Sequence, residues 1–258
     1  MYIKVEEFSP KNLKTQEEIQ KFLETIGKRE VYAGIYVSYL VDEVYPERKI
    51  KLNLKRLPRL PFLGLYNTEK TWVLKGNAGN SVGRGAKGGF IIVKGDTGEG
   101  VGEYMEGGKI IIRGRCDGYA GIGMKDGEII IERDVGNVVG RDMKGGTIKI
   151  KANAGDNVGV NMEGGMIEIK GNAGDAVGKC MKGGAIKIEG DAGDDIRTDM
   201  EGGIIEIKGI ILGDAYMKGG RIIAHDIRGS VGNGMTGGTV IVKKHKLIAF
   251  LKPNFSCL

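Results

Sequence analysis

The chain has 258 residues, 41% of them apolar, enough to fill the core of one large domain or two small ones. With 46 glycines, two histidines and one tryptophan it carries little of the usual catalytic inventory; its three cysteines, far apart and in no CxxC pair, indicate neither a disulfide framework nor a zinc site. A formal charge of +6, spread evenly, is too dilute to point to nucleic acid, and with no long apolar run or signal peptide the expected location is cytoplasmic, with no membrane partner.

Residues 1–70 read as a small α+β cap region. They hold four of the five prolines and six of the nine tyrosines, and the composition shift sets a boundary near Thr71. Thr15-Gln16-Glu17-Glu18 is a capping box, Ile19, Phe22, Leu23 and Ile26 follow at helical spacing, and Gly27 is placed to end the helix. Gln16 and Gln20 are the only glutamines in a chain rich in Lys, Glu and Ile, a bias of thermophilic proteins. From Val31 to Tyr45 the β-branched and aromatic residues predict a strand, and the alternation of Ile50, Leu52 and Leu54 with lysines predicts a second. The basic run from Arg48 to Arg59 has no acid in it and reads as a solvated strand face or docking edge.

From 71 to 258 one unit repeats. Glycine doublets begin at Gly88, Gly107, Gly145, Gly164, Gly183, Gly202, Gly219 and Gly237, and Asp126-Gly127 fills the gap, giving six spacings of 19 and then 17 and 18. Eight of the ten methionines stand two residues before a doublet, where the first copy has Ala86. A fixed period near 20 marks a solenoid in which each copy is one coil. Within a coil, Ile167 and Ile169 alternate with Glu168 and Lys170, the period-two pattern of a strand with one buried face. The expected fold is mainly β: a right-handed parallel β-helix of about nine 19-residue coils, with Met, Ile, Ala and Val in a narrow interior column. Lys149, Glu168, Lys187 and Glu206, each 19 residues after the last, alternate in sign, as opposite charges on stacked neighbours would. The C-terminal Leu247–Leu251, too apolar for a free tail, is expected to cap the last coil or enter an interface.

Several apparent motifs dissolve on inspection. Gly83 to Gly88 and Gly232 to Gly237 match GxGxxG, but each leads into another strand, so no helix N-terminus waits for a pyrophosphate. The Asp-rich turns around Asp191–Asp195 are read as solvated turn residues, not calcium ligands, and Cys116 and Cys180 as structural thiols. Departures from the repeat are more informative. Gly-x-x-Gly-x-x-x-Gly is complete at Gly76, Gly79 and Gly83, at Gly95, Gly98 and Gly102, and at Gly171, Gly174 and Gly178, whereas Arg197 replaces the third glycine of the next copy. Irregular coils are where a solenoid presents binding surface, which marks Arg197, Tyr119 and the apolar end at Phe250 as candidate partner-interface residues.

These tandem corners, with Met-x-Gly-Gly-x-Ile-x-Ile between them over about Thr71 to Val242, resemble the β-helix domain shared by the large subunit of glutamate synthase and the β-helix subunit of formylmethanofuran dehydrogenase. As a short chain with its own N-terminal region it is more similar to the formylmethanofuran dehydrogenase protein. The resemblance implies a scaffold subunit of a methanogen-type oxidoreductase that reduces carbon dioxide onto methanofuran. It places the tungsten or molybdenum pterin, iron–sulfur clusters and metal-dependent amidohydrolase centre in other subunits, with no catalytic, cofactor or metal residue and no directly bound small-molecule substrate here. The alternatives are a separate glutamate synthase β-helix subunit and a free-standing binding protein.

Overall fold

The computed structural model describes residues 14–26, 30–43, 45–194, 196–197, 199–231, 235–244 and 247–250. Among these residues two helices, α1 (Gln16–Ile26) and α2 (Glu30–Glu43), precede sixteen strands. In chain order these are β1 (Lys49–Asn53), β2 (Thr71–Lys75), β3 (Phe90–Val93), β4 (Thr97–Glu99), β5 (Lys109–Ile112), β6 (Cys116–Gly118), β7 (Glu128–Ile131) and β8 (Thr147–Ile150). There follow β9 (Met166–Ile169), β10 (Ala185–Ile188), β11 (Ile196–Arg197), β12 (Ile204–Ile211), β13 (Ala215–Tyr216), β14 (Arg221–Ile227), β15 (Thr239–Val242) and β16 (Leu247–Phe250).

The chain is a parallel β-solenoid. One sheet runs β1-β2-β3-β5-β7-β8-β9-β10-β12-β14-β15-β16, every neighbour parallel except the last pair. Its eleven parallel strands make ten turns, against about nine expected, because β1 pairs in register with β2, Ile50 beside Trp72 and Leu52 beside Leu74. The sheet therefore begins before the compositional boundary at Thr71. At the far end β16 turns back antiparallel on β15, so backbone of the apolar C-terminal segment covers the last parallel strand.

Each coil is closed by positions that repeat at 19. The side chains of Ile167, Ile169, Ala173, Val177 and Met181 point inward, and their equivalents stack above and below as continuous columns. The repeat methionines from Met105 to Met217 are fully buried and Met235 nearly so, which places them inside as expected. The expected neighbours also meet: Lys149 lies beside Glu168, and Lys187 beside both Glu168 and Glu206.

Two polar ladders explain the first glycines of the corner motif. Asn77, Asp96, Asp134, Asn153, Asn172 and Asp191 each accept, through Oδ1, the backbone N–H of the residue 19 further on at 2.7–3.1 Å. Asn80, Asn137, Asp156 and Asp175 form a second ladder of the same kind. A Cβ at Gly95 or Gly98 would collide with the Oδ1 that crosses it from the coil before. The aspartates of these turns are thus spent on backbone donors.

The N-terminal region departs from expectation at one element. Val31 to Tyr45 contains the helix α2 and no strand, because Ala33, Val37, Leu40 and Val41 fall on one helical face and are buried. Contact with the first coil overrides the β-propensity of the segment. Gly34 packs on the Pro61 carbonyl, and Ser38 Oγ donates to Phe62 O at 2.8 Å and accepts the Gly64 N–H at 2.9 Å. Helix α1 has the expected bounds and capping box, with Thr15 N–H donating to Glu18 at 2.8 Å and Glu18 N–H to Thr15 Oγ1 at 3.2 Å. Phe22 is buried, its ring 5.3 Å from that of Tyr36; the Ile26 side chain lies outside the described residues.

Candidate interaction surface

Every regular coil has several left-handed positions: the second glycine of the doublet, such as Gly146 or Gly165, which packs on backbone and a core methionine, and corner positions of two kinds. At Gly83, Gly102, Gly121, Gly140, Gly159 and Gly178 the backbone has φ between +65° and +70°, and a Cβ would strike the Cδ1 of a core isoleucine. No side chain fits there. Two further corner positions per coil accept other residues as well as glycine: Ser81, Gly100, Tyr119, Val138, Asn157 and Ala176 in one column, and Tyr66, Gly85, Tyr104, Gly123, Asp142, Asn161 and Cys180 in the next; Ser81 is buried and the tyrosines are exposed. Bulky side chains at positive φ are costly, about 1–3 kcal/mol each, and such strain gathers where a side chain is presented for use.

Three of these strained positions are tyrosines. Tyr66 is 57% exposed, Tyr104 49% and Tyr119 39%. Tyr66 and Tyr104 stand two coils apart in one column with Gly85 between them, and Gly123 follows Tyr104. Each ring lies over the glycine of the next coil: a Cβ at Gly85 would sit 2.5 Å from Tyr66 Cε1, and one at Gly123 2.6 Å from Tyr104 Cδ1. The Arg84 guanidinium lies 5.3 Å from the Tyr104 ring centroid and donates to Glu103 at 3.1 Å. Arg59, from the basic run, pairs with Asp117 at 3.0 Å beside Tyr119. Exposed rings among paired charges have the composition of a protein-docking surface.

The three expected interface residues are not one site. Tyr119 belongs to this corner, in the coil that ends in β7, whereas Phe250 is on β16, seven strands beyond β7 in the sheet. Arg197 does not sit on a corner: its backbone forms β11 with Ile196 and pairs with β13, so the turn is replaced by a strand. The side chains of Arg197 and Phe250 lie outside the described residues. Tyr66 and Tyr104 were not among the expected residues; their 38-residue separation, twice the repeat, is the signal that could have found them.

Chemistry of other kinds has little to work with among the described residues. No group of three or more His, Cys, Asp or Glu is placed to hold a metal, and no helix is long and apolar enough to cross a membrane. Cys116 is buried in the interior column, where desolvation pushes its thiol above the usual range and keeps it protonated. His225 is exposed on β14. Gly83 to Gly88 leads into β3, so that glycine pattern ends in a strand as expected; Gly232 to Gly234 of the second pattern lie outside the described residues.

Comparison with curated proteins returns no match. The GXGXG motif family matches residues 63–209, more than half of the chain and the stretch that carries the regular coils. The chain belongs to the GXGXG motif family.

Proposed function

We propose that the chain is a non-catalytic scaffold subunit of a multisubunit oxidoreductase of the formylmethanofuran dehydrogenase type, working in the cytoplasm. The in-phase array of GXGXG corners over residues 63–209 carries this reading, because its Met-x-Gly-Gly-x-Ile-x-Ile spacing resembles that of the β-helix subunit of such an enzyme. The tyrosine corner supports it by supplying an exposed aromatic docking strip. Among the described residues no three His, Cys, Asp or Glu are placed to hold a metal ion, and the proposal assigns the pterin, iron–sulfur and amidohydrolase centres to other subunits. A second reading, a separate β-helix subunit of a glutamate synthase, is favoured by the same family match, because GXGXG motifs are found in such domains.

Isolation of the tagged chain from its native source under mild lysis separates the two. The first reading expects larger metal-bearing oxidoreductase subunits in stoichiometric amount. Glutamine-dependent glutamate formation by the isolated material would support the second, and a chain recovered with no partner would overturn both.

A further inference from the structure

The outward face of the large sheet is patterned to meet a second copy of itself. Because residue i pairs with residue i+19 from β2 through β12, the outward side chains form straight columns. The middle column reads Lys149, Glu168, Lys187 and Glu206 at its centre, with Ile130 and Ile111 on one side and Ile223 and Ile241 on the other. All four isoleucines are partly exposed, and Ile204 in the flanking column is 45% exposed.

A two-fold axis along the strands, between β9 and β10, reverses the order of coils and sets each column against itself. Glu168 then faces Lys187 of the other copy, Lys149 faces Glu206, Ile130 faces Ile223 and Ile111 faces Ile241. In the flanking column Met166 faces Ala185, Thr147 faces Ile204 and Glu128 faces Arg221. A register shifted by one coil sets Lys149 against Lys187 and Ile130 against Glu206, so the pattern selects one alignment. In the third column Lys170 meets Glu189; the like-charged matches there are Lys151 with Lys208 and Arg113 with Lys243. Each of those four is already held by a glutamate of its own chain: Glu132 for Lys151 and Arg113, Glu189 for Lys208 and Glu206 for Lys243; Lys149 and Lys170 are held likewise by Glu128 and Glu189, so the favourable two-fold matches add a second partner to charges already paired.

The area is adequate. Eight strands at about 4.8 Å and five residues at about 3.3 Å give about 600 Å² per copy, and about 1,200 Å² in total reaches the lower end of specific interfaces. We propose that two copies of this chain associate face to face through the outer surface of the sheet, in the two-fold register that pairs Lys149 with Glu206 and Glu168 with Lys187. This goes beyond the scaffold reading, since the two-fold joins two copies whatever complex they serve.

Sedimentation velocity of the full chain tests it, with Lys149→Glu and Glu206→Lys as variants and circular dichroism to verify folding. The wild type should sediment at twice the 27.7 kDa chain mass. Each variant alone sets like charges opposite at two places and should weaken dimerisation by about tenfold or more. Mixed together, the two variants restore opposite charges at both places and should form a heterodimer. If Lys149→Glu prevents folding, the pair Glu168→Lys and Lys187→Glu supplies the same mixing test. A wild type that stays monomeric up to about 100 μM, about a hundredfold above an ordinary micromolar association, overturns the proposal; so does a dimer indifferent to the single changes, or a mixture of folded variants that does not pair.

Discussion

Gln20 closes the open edge of the sheet on Asn53. Its Oε1 accepts the Asn53 N–H at 2.8 Å and its Nε2 donates to the Asn53 carbonyl at 3.0 Å, as a neighbouring strand would. One helical turn earlier, Gln16 Oε1 accepts the Lys51 N–H at 3.1 Å. Two glutamines at i and i+4 on α1 thus meet alternate residues of β1. An uncovered edge invites another chain to pair with it. Replacing both glutamines with alanine should leave the coils folded and promote association through β1, read as rising light scattering on incubation; a double variant as stable in solution as the wild type would remove this role.

The two kinds of left-handed corner should respond differently to one methyl group. Gly140→Ala combines positive φ with a collision against core Ile167 and should lower stability by about 2–3 kcal/mol. At Gly85 the obstacle is the exposed Tyr66 ring, which can swing aside, so Gly85→Ala should cost about 1 kcal/mol less. Thermal melts compare the pair directly, and equal losses would show that the interior contact adds nothing to the backbone strain.

Acid should loosen the stack through its glutamates. Hydrogen bonds from Lys109 and Lys149 hold Glu128 below the usual glutamate range, and those from Arg113 and Lys151 do the same for Glu132. A depressed folded-state pKa contributes stability that is fully present above about pH 4.3, the unfolded value, and is lost as pH falls through the folded value. Glu128→Gln should therefore flatten the fall in melting temperature below about pH 4.3, while leaving a lower plateau at neutral pH. A slope unchanged by the substitution would place the acid sensitivity elsewhere.

The same edge logic applies at the other end. Strand β16 covers β15 by antiparallel pairing, Val240 with Ala249 and Val242 with Leu247. Deletion from Leu247 onward uncovers β15 and should lower solubility or cost a partner. A truncated chain that stays soluble and assembles normally would contradict this.

The coil was legible in the sequence wherever one residue type is the only solution. Gly140 and its equivalents admit no side chain, the methionines fill one interior slot, and the sign alternation from Lys149 to Glu206 follows from strands in register. Helix α2 was not legible, since its valines and tyrosines carry strand propensity and only contact with the first coil settles the matter. Strand β1 was missed as a rung because it precedes β2 by 22 residues and lacks the glycine doublet. The docking corner was hidden for a different reason. Tyr66 and Tyr104 occupy a column where other coils carry Gly, Asp, Asn or Cys, so no repeated letter marks it.

On the proposed function this solenoid acts by docking, with its tyrosine corner as the contact strip and the chemistry in its partners. Native mass spectrometry of the tagged chain captured from its own source, beside a Tyr104→Asp variant matched for melting temperature, decides whether the corner carries that docking. Stoichiometric, larger metal-bearing subunits are expected on the wild type, and their loss from the variant. A wild-type chain recovered alone or only as its own dimer, or a variant that keeps the full set of subunits, would contradict it.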